Sequence, residues 1–390
     1  MQTTQQSSAT PPLSPKKFRD PRLDFFRGIG MFIILIAHIT NNPWTLWIPA
    51  RFGFSDATEM FVFCSGMASA LAFGGLFGRA GWMMGTLRIA HRIWQVYWVH
   101  LGVFFVTLTL MLALNATGIF ARDEVSALNL MHFINSTGPN LIGLMTLTYV
   151  PNYFDILPMY IVILALIPVM MGLSKFDPRL AIFASVVLWF AATAGLNLPA
   201  ELWFEKPSTR QWFFNAFAWQ LIFFSGFGLM IGWIPAPPVR RWLIAVAIVV
   251  VVLSIPFAWY KIIGQSEFIR EWRRDWAFLI SKSNFGILRF VHFLALAYLA
   301  WVAAGVKGAR LVRGGKSGAV IALICRVGQQ SLAVFAASMV LARVFGAFLN
   351  LAGGGWLAAL IINVLAALSI IAVAKLAAFF KSQPWKVARG

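Results

Sequence analysis

About ten apolar segments, each close to the length that a helix needs to cross a bilayer, dominate this sequence. Of its 390 residues, 60% are hydrophobic and only 12% are charged, whereas soluble domains are about 25% charged. The pattern therefore predicts an all-α, polytopic integral membrane protein, a bundle of about ten transmembrane helices. The predicted spans are residues 25–42, 55–77, 89–114, 154–174, 179–196, 212–233, 241–260, 285–305, 319–349 and 355–379.

Basic residues cluster in alternate loops between these segments. Lysine and arginine are enriched in the cytoplasmic loops of membrane proteins, which predicts that both termini are cytoplasmic. The net charge of +19 is therefore a signal of topology, and we do not expect nucleic acid as a partner. The residues that carry this signal are Lys16, Lys17, Arg19, Arg22, Arg79, Arg88, Lys175, Arg179, Arg240, Arg241, Lys307, Arg310, Arg313, Lys316, Lys381 and Lys386.

The segment 261–282 departs from this rule. It holds five basic and three acidic residues, but it falls on the side of the membrane opposite to the other basic loops. Its stretch SEFIREWRRDWAFLI mixes arginine with tryptophan, which predicts a helix lying in the membrane interface. The long polar segment 115–153 predicts an external loop with a re-entrant piece at 140–150.

The sequence predicts one domain between two short polar ends. Residues 1–18 are rich in Ser, Thr, Gln and Pro, which predicts a disordered cytoplasmic N-terminus. Residues 19–380 form a single transmembrane domain, and 381–390 a cytoplasmic tail. The two cysteines, Cys64 and Cys325, lie in apolar segments, so we expect neither a disulfide framework nor a metal site.

Two ionisable residues on the first apolar segment are the first candidates for a site. Arg27 and His38 are eleven positions apart, just over three helical turns, so both project from nearly the same face. The rise between them is about 16 Å, roughly half of the hydrocarbon thickness. Ionisable groups inside a membrane are costly and mark functional sites. In the structural alternative, Arg27 anchors the helix and pairs with Asp24, and His38 is a satisfied polar residue.

The spacing of Arg27 and His38 resembles the Arg-x10-His signature of the transmembrane acyltransferase-3 superfamily. The closer resemblance is to the OpgC family within that superfamily, and it runs from about residue 19 to 345. One departure is Ala37, where many members of the superfamily have an acidic residue, so the group that orients the imidazole is left open. The segments that carry the resemblance are LDFFRG, AHI, FGFSDATEMFVFCSG at 52–66, PNYFDILPMYIVILALIP at 151–168, WFFNAFAWQLIFFSG at 212–226, KSNFGILRFVHFLALAYL at 282–299 and GQQSLAVF at 328–335.

The resemblance implies an O-acyltransferase of the bacterial inner membrane that succinylates osmoregulated periplasmic glucans. Its donor would be succinyl-CoA, a co-substrate and not a resident cofactor, and its acceptor a glucan hydroxyl on the other side. Arg27 would hold an anionic group of the donor, and His38 would take the proton from the attacking hydroxyl. This chemistry requires the two side chains to line one common cavity. Asn41 or Asn42 would stabilise the oxyanion or fix the ring, or would simply end the helix.

Five other basic residues lie at the ends of apolar segments. Arg88 and Arg92 resemble a paired basic motif of the superfamily and would contact the phosphates of coenzyme A, or serve as positive-inside anchors. Lys282, Arg289 and His292 lie together on the acceptor side. Among these, Arg289 would suit bidentate pairing with the succinyl carboxylate.

Six further polar residues are candidates for binding the acceptor or the acyl group. Three are carboxylates at helix starts, which match ordinary N-caps as well, and the first two fit a capping box. The other three form either a sugar-binding platform or a cluster at the membrane interface. These residues are Asp56, Glu59, Asp155, Asn215, Trp219 and Gln220.

Two other classes of protein compete with the enzyme. A transporter or flippase for a glycan or acyl donor would use the same intramembrane charges without covalent chemistry, but we find no inverted repeat in the sequence. A structural partner of a glucan synthase would not need intramembrane polar groups. The expected partners are acyl-CoA, a periplasmic glucan and the lipid bilayer, and a homo-oligomer is compatible with the sequence.

Overall fold

Helices make up most of the protein, and the described part of the chain has no β-structure beyond an isolated bridge between Pro199 and Gln211. The all-α prediction is thereby confirmed. The predicted disordered N-terminus, the basic residue Arg313 and the last residues of the predicted tail lie outside the described residues. The computed structural model describes residues 20–120, 122–201, 209–312 and 314–386.

The described residues form fifteen α-helices, and a short π-helical segment joins the second to the third. The helices are α1 Pro21–His38, α2 Ala57–Ser69, α3 Gly75–Ala116, α4 Met131–Asn135, α5 Thr137–Thr146, α6 Ile156–Leu173, α7 Pro178–Thr193, α8 Ala216–Ile231, α9 Arg241–Ala258, α10 Tyr260–Gln265, α11 Glu267–Asp275, α12 Ile287–Ala304, α13 Gly315–Gln329, α14 Ser331–Leu351 and α15 Trp356–Ser382.

Six helical stretches within the described ranges are long and apolar enough to cross a membrane. Two shorter apolar helices, α7 and α8, accompany them, and α1 adds 18 residues that include Arg22, Asp24 and Arg27. Each predicted span overlaps at least one helix, whereas the number of ten spans and the cytoplasmic termini stay predictions. The six stretches are Ala57–Ala116, Ile156–Leu173, Arg241–Ala258, Ile287–Ala304, Ser331–Leu351 and Trp356–Ser382.

Two predicted boundaries differ from the structure. The second and third spans belong to one helical run, which turns at Gly81, where φ is 83° and only glycine is free of strain. The ninth span is two helices, α13 and α14, separated at Gln330. The predicted interfacial stretch contains the amphipathic helix α11, and the predicted re-entrant piece overlaps α5.

The helix α1 lies inside the bundle, packed against α2, α13 and α14. Its contact with α13 is close because both partners present glycine: a Cβ on Gly28 would clash with the backbone of Ile324, and one on Gly328 with the backbone of Asp24. Small residues let membrane helices approach in this way. The packing directs the polar face of α1 toward α2, α6 and α14, where the cavities described below lie.

Candidate active site

His38, the last residue of α1, lines an internal cavity of about 330 Å³. We call it the histidine cavity, and its polar lining residues are His38, Thr58, Asn152, Tyr153, Asp155 and Lys282. The ring of Tyr153 meets the imidazole edge to face, with 5.4 Å between the ring centroids. Tyr153 donates a hydrogen bond to the carbonyl of Met339 on α14, which fixes this ring beside His38.

A backbone carbonyl orients the imidazole of His38. Nδ1 lies 2.7 Å from the carbonyl oxygen of Ile34, one turn earlier on α1. A carbonyl can only accept, so Nδ1 carries the proton, and in the neutral ring Nε2 keeps its lone pair. Within the described ranges no group donates to Nε2. The carbonyl of Ile34 thus orients the imidazole, a role that an acidic residue at position 37 could otherwise have. In this orientation the imidazole can accept a proton at Nε2.

Lys282 brings a positive charge to the same cavity. Its Nζ lies 2.6 Å from Oδ2 of Asp56, and its side chain is 34% exposed. Asp56 also lies 3.4 Å from a guanidinium nitrogen of Arg289, which donates through Nε to Glu59 at 2.7 Å. Two acidic and two basic side chains from α2, α12 and the segment before α12 therefore form one network. Lys282 is the member that reaches the histidine cavity.

The predicted capping box at the start of α2 is present. Asp56 accepts from the backbone N–H of Thr58, and Glu59 accepts from the backbone N–H of Asp56. Both carboxylates also bind Arg289, which is buried. The prediction that Arg289 holds a succinyl carboxylate is therefore not supported, because its guanidinium is occupied by two acidic partners.

The amides and tryptophan of α8 do not form the predicted sugar platform. Asn215, Trp219 and Gln220 are each 0% exposed. The indole of Trp219 donates to the backbone carbonyl of Lys282, and the side chain of Asn215 donates to the carbonyl of Leu196. These groups satisfy buried backbone atoms, as buried polar side chains generally must. Trp219 thus positions the segment that carries Lys282.

Gln220 is likewise structural, since it exchanges hydrogen bonds with Ser185 on α7 through both its side-chain oxygen and its side-chain nitrogen. His292 accepts a hydrogen bond at Nδ1 from the backbone N–H of Ser55, 3.2 Å away, and its ring leaves no room for a side chain at Gly53. His292 lies outside the cavity that holds His38. Gln220 and His292 therefore do not line the cavity that contains His38.

Asp155 occupies the N-cap position of α6, as predicted, but its side chain makes no capping hydrogen bond. Its carboxylate lines the histidine cavity. The Oδ1 atom is buried and has no hydrogen-bond partner in the described part of the chain. Buried polar atoms without partners are uncommon, and a bound hydroxyl or water is a natural partner here.

Three arginines meet in a second cavity of about 220 Å³, toward the beginning of α1. We call this the arginine cavity, because Arg27, Arg88 and Arg92 all line it. Arg27 donates to the hydroxyl of Ser331 at the start of α14, and Arg92 donates to Gln95 at 3.1 Å. The residues that line this cavity include no carboxylate. The convergence of these arginines from α1 and α3 makes the cavity a candidate for an anionic ligand.

His38 and Arg27 line two different cavities, so the structure does not show the expected single cavity lined by both. Phe61 of α2 lines both cavities. Its ring stacks on that of Phe335 on α14, with 5.4 Å between centroids and 20° between planes. Phe61 therefore lies at the boundary of the two cavities, and Phe335, which lines the histidine cavity, packs against it.

Asn41 and Asn42 lie outside the histidine cavity. Asn41 donates to the side chain of Asn350, 2.9 Å away, at the end of α14. Asn42 caps a 3-10 turn and exchanges two side-chain hydrogen bonds with Asn363 on α15. Asn41 therefore connects the end of α1 to the end of α14, and Asn42 connects it to the interior of α15. The structure does not support the predicted role in oxyanion stabilisation.

The structure adds a buried ion pair that the sequence analysis did not single out. Arg343 of α14 pairs with Glu124 at 3.1 Å, and its side chain is 7% exposed. The guanidinium also donates to Thr40 and lies 5.7 Å from the centre of the Tyr153 ring. The sequence signal for this ion pair is an arginine within an apolar span, because a charged side chain inside the membrane needs a partner within the protein. The pair ties the loop between α3 and α4 to α14 next to the histidine cavity.

These features define a helical membrane protein whose ionisable side chains face two internal cavities. The sequence profile of the OpgC protein matches residues 19–382, nearly the whole chain. The chain belongs to the OpgC family, which indicates a transferase with an OpgC-type role in glucan modification. No curated protein and no solved structure gives a significant match.

Proposed function

We propose that the protein is an O-acyltransferase of the bacterial inner membrane that moves a succinyl or similar acyl group from cytoplasmic acyl-CoA to a hydroxyl of a periplasmic glucan. The single observation that carries the proposal is the state of His38. Its Nδ1 is held by the carbonyl of Ile34, and its Nε2 is left as a base beside a polar cavity. Family membership supplies the glucan as the class of acceptor.

The donor would bind at the arginine cavity. Coenzyme A carries several phosphate charges, and guanidinium groups pair with phosphate oxygens through two parallel hydrogen bonds. Arg27, Arg88 and Arg92 supply three such groups around one space, and the lining contains no acidic side chain to compete with them. In the proposed orientation this cavity opens toward the cytoplasm, where acyl-CoA is found.

The acceptor hydroxyl would react in the histidine cavity. Nε2 of His38 removes the proton as the hydroxyl oxygen attacks the thioester carbonyl, and a tetrahedral intermediate forms. The carbon–sulfur bond then breaks, and the proton on Nε2 passes to the departing thiolate, so the products are an ester and free coenzyme A. Asp155 would accept a hydrogen bond from another hydroxyl of the sugar, which gives its buried oxygen a partner.

Lys282 would bind the free carboxylate of the succinyl group. Its ammonium carries three N–H donors, and one of them is directed to Asp56. The ammonium also lines the cavity that contains His38. We therefore assign to Lys282 the role that the sequence suggested for Arg289.

The boundary between the cavities requires a movement during the reaction. A thioester held at the arginines must reach His38, about 16 Å away along α1. Phe61 lines both cavities, and Phe335, which lines the histidine cavity, stacks on its ring. In our proposal these rings separate when the acyl group passes, which is a rotamer change of the kind that gates many enzyme sites.

Consumption of the thioester tests the function. Purified protein in nanodiscs, given succinyl-CoA, should release free coenzyme A in proportion to added glucan, and mass spectrometry should find the glucan heavier by one succinyl group per transfer. A transporter or flippase would release no coenzyme A. Glucan that stays unmodified while the protein is folded would reject the enzymatic proposal.

Replacement of Arg88 by alanine tests the donor site. We expect the KM for succinyl-CoA to rise about tenfold with little change in kcat, because one charge-assisted contact to a phosphate is lost. Arg79→Ala is the matched control, since Arg79 is an exposed arginine of the same helix that does not line the arginine cavity. Equal effects of the two substitutions on KM would argue against a donor site at this cavity.

A further inference from the structure

A third cavity, of about 360 Å³, lies among the loops beyond the histidine cavity. We call it the loop cavity. Its volume is within the range of about 300–1,000 Å³ that is typical of ligand pockets. The proposed function leaves its side chains unused. Its polar and aromatic lining residues are Ser126, Asn129, His132, Tyr149, Asn152, Glu201 and Arg210.

Among the described residues that line the loop cavity, one acidic side chain, Glu201, balances one arginine, Arg210. Arg210 donates to Glu201 at 3.2 Å and to the side chain of Asn152 at 2.9 Å. It also donates to the carbonyl of Val150 at 2.9 Å. An arginine engaged in this way attracts anions weakly. Amide, carboxylate and guanidinium groups held in fixed positions instead suit a neutral ligand with many hydroxyls, because each can donate to or accept from a hydroxyl.

Aromatic rings complete the lining. The rings of His132 and Tyr149 lie with their centroids 6.0 Å apart and their planes tilted by 42°. Rings of this kind combine an apolar face with a polar edge, which suits contact with the C–H faces and hydroxyl edges of a sugar.

Tyr149 gives an independent sign of a ligand. The residue is only 1% exposed, and its hydroxyl oxygen is buried without a hydrogen-bond partner among the described residues. Burial raises the pKa of Tyr149 to about 12, so the hydroxyl is protonated and able to donate at neutral pH. A buried donor without a partner costs free energy, and a ligand hydroxyl in the cavity would supply the partner.

The loop cavity adjoins the place of the proposed reaction. Asn152 lines both the loop cavity and the histidine cavity, and the chain passes within three residues from Asn152 to Asp155. A polymer that enters through the loop cavity would therefore present its next unit to His38.

We propose that the loop cavity binds sugar units of a neutral glucan chain next to the unit that is acylated at His38. The site rests on the proposed function for its choice of glucan. It explains the balanced charge, the paired rings and the buried hydroxyl of Tyr149 together.

Binding without an acyl donor tests the site separately from the transfer reaction. The probe is a size series of β-linked gluco-oligosaccharides, and binding to the full chain in nanodiscs is measured by saturation-transfer NMR. Tyr149→Phe removes only the unpaired hydroxyl, so the protein should stay folded while the Kd for the oligosaccharide rises about three- to tenfold. Asn152→Ala, at an exposed position, should weaken binding by a similar factor.

The control is Asn135→Ala, at an exposed asparagine in the neighbouring helix α4 that does not line the cavity. It should leave the Kd unchanged. If Tyr149→Phe and Asn152→Ala also leave it unchanged, or if the wild-type protein binds no oligosaccharide, the site is rejected. Release of coenzyme A from succinyl-CoA is measured in parallel, and it decides the proposed function whatever the oligosaccharide result.

Discussion

Replacement of His38 by alanine is expected to lower the rate of acyl transfer by about 10²- to 10⁴-fold, the usual contribution of a general base. The loss should appear in kcat, because the arginine cavity that would bind the donor is left unchanged. The measurement is the glucan-dependent release of coenzyme A by purified variants, with mass spectrometry of the glucan as a second readout.

The control for this prediction is His38→Asn. Its side-chain N–H takes the place of Nδ1 and can still donate to the carbonyl of Ile34, but it has no basic nitrogen. Both variants should therefore lose activity equally, while their thermal stability stays close to that of the wild type. An alanine variant that acylates glucan at more than about a tenth of the wild-type rate would remove the general-base role from His38.

Replacement of Lys282 by methionine is expected to lower kcat/KM for succinyl-CoA by about 30- to 300-fold, because the acyl carboxylate would lose its cationic partner in a largely buried site. Transfer from acetyl-CoA, which has no such carboxylate, should change by less than about threefold. The measurement is the ratio of the two rates for each variant. Asp56 keeps Arg289 as a partner, so the start of α2 should remain folded.

Lys261→Met serves as the matched control, since Lys261 is an exposed lysine on α10, outside the histidine cavity. It should leave the ratio unchanged. A Lys282→Met variant that loses activity with both donors to the same extent would show that Lys282 has a structural role in its network with Asp56 and not a role in selecting the acyl group.

The spans were predictable because hydropathy reports directly on the environment of a helix. Ile156–Leu173 and Ile287–Ala304 lie within two or three residues of their predicted limits. The division of the ninth span at Gln330 was not predicted. The close packing of α1 on α13 at Gly28 and Gly328 was not predictable either. Such a contact joins residues far apart in sequence and leaves no local pattern.

The candidate site was predictable where residues share a helix face, and less so elsewhere. The spacing of Arg88 and Arg92 brings both into one cavity with Arg27, as their positions suggested. The sequence could not indicate which of Lys282 and Arg289 is engaged by both carboxylates at the start of α2. That depends on contacts between residues more than 200 positions apart. Asn215 was predicted to contact a sugar but donates to a buried carbonyl. The sequence does not distinguish these partners, because an amide side chain can bind either one.

The stacked rings of Phe61 and Phe335 also bear on whether the protein lets ions pass through the membrane. A pore left open between two aqueous compartments would dissipate the proton gradient and waste respiratory energy. In the proposed mechanism, the aromatic stack would close this path between turnovers and would open only to admit one acyl group. Smaller side chains at these positions would then be toxic through leakage, quite apart from any effect on the modified sugar.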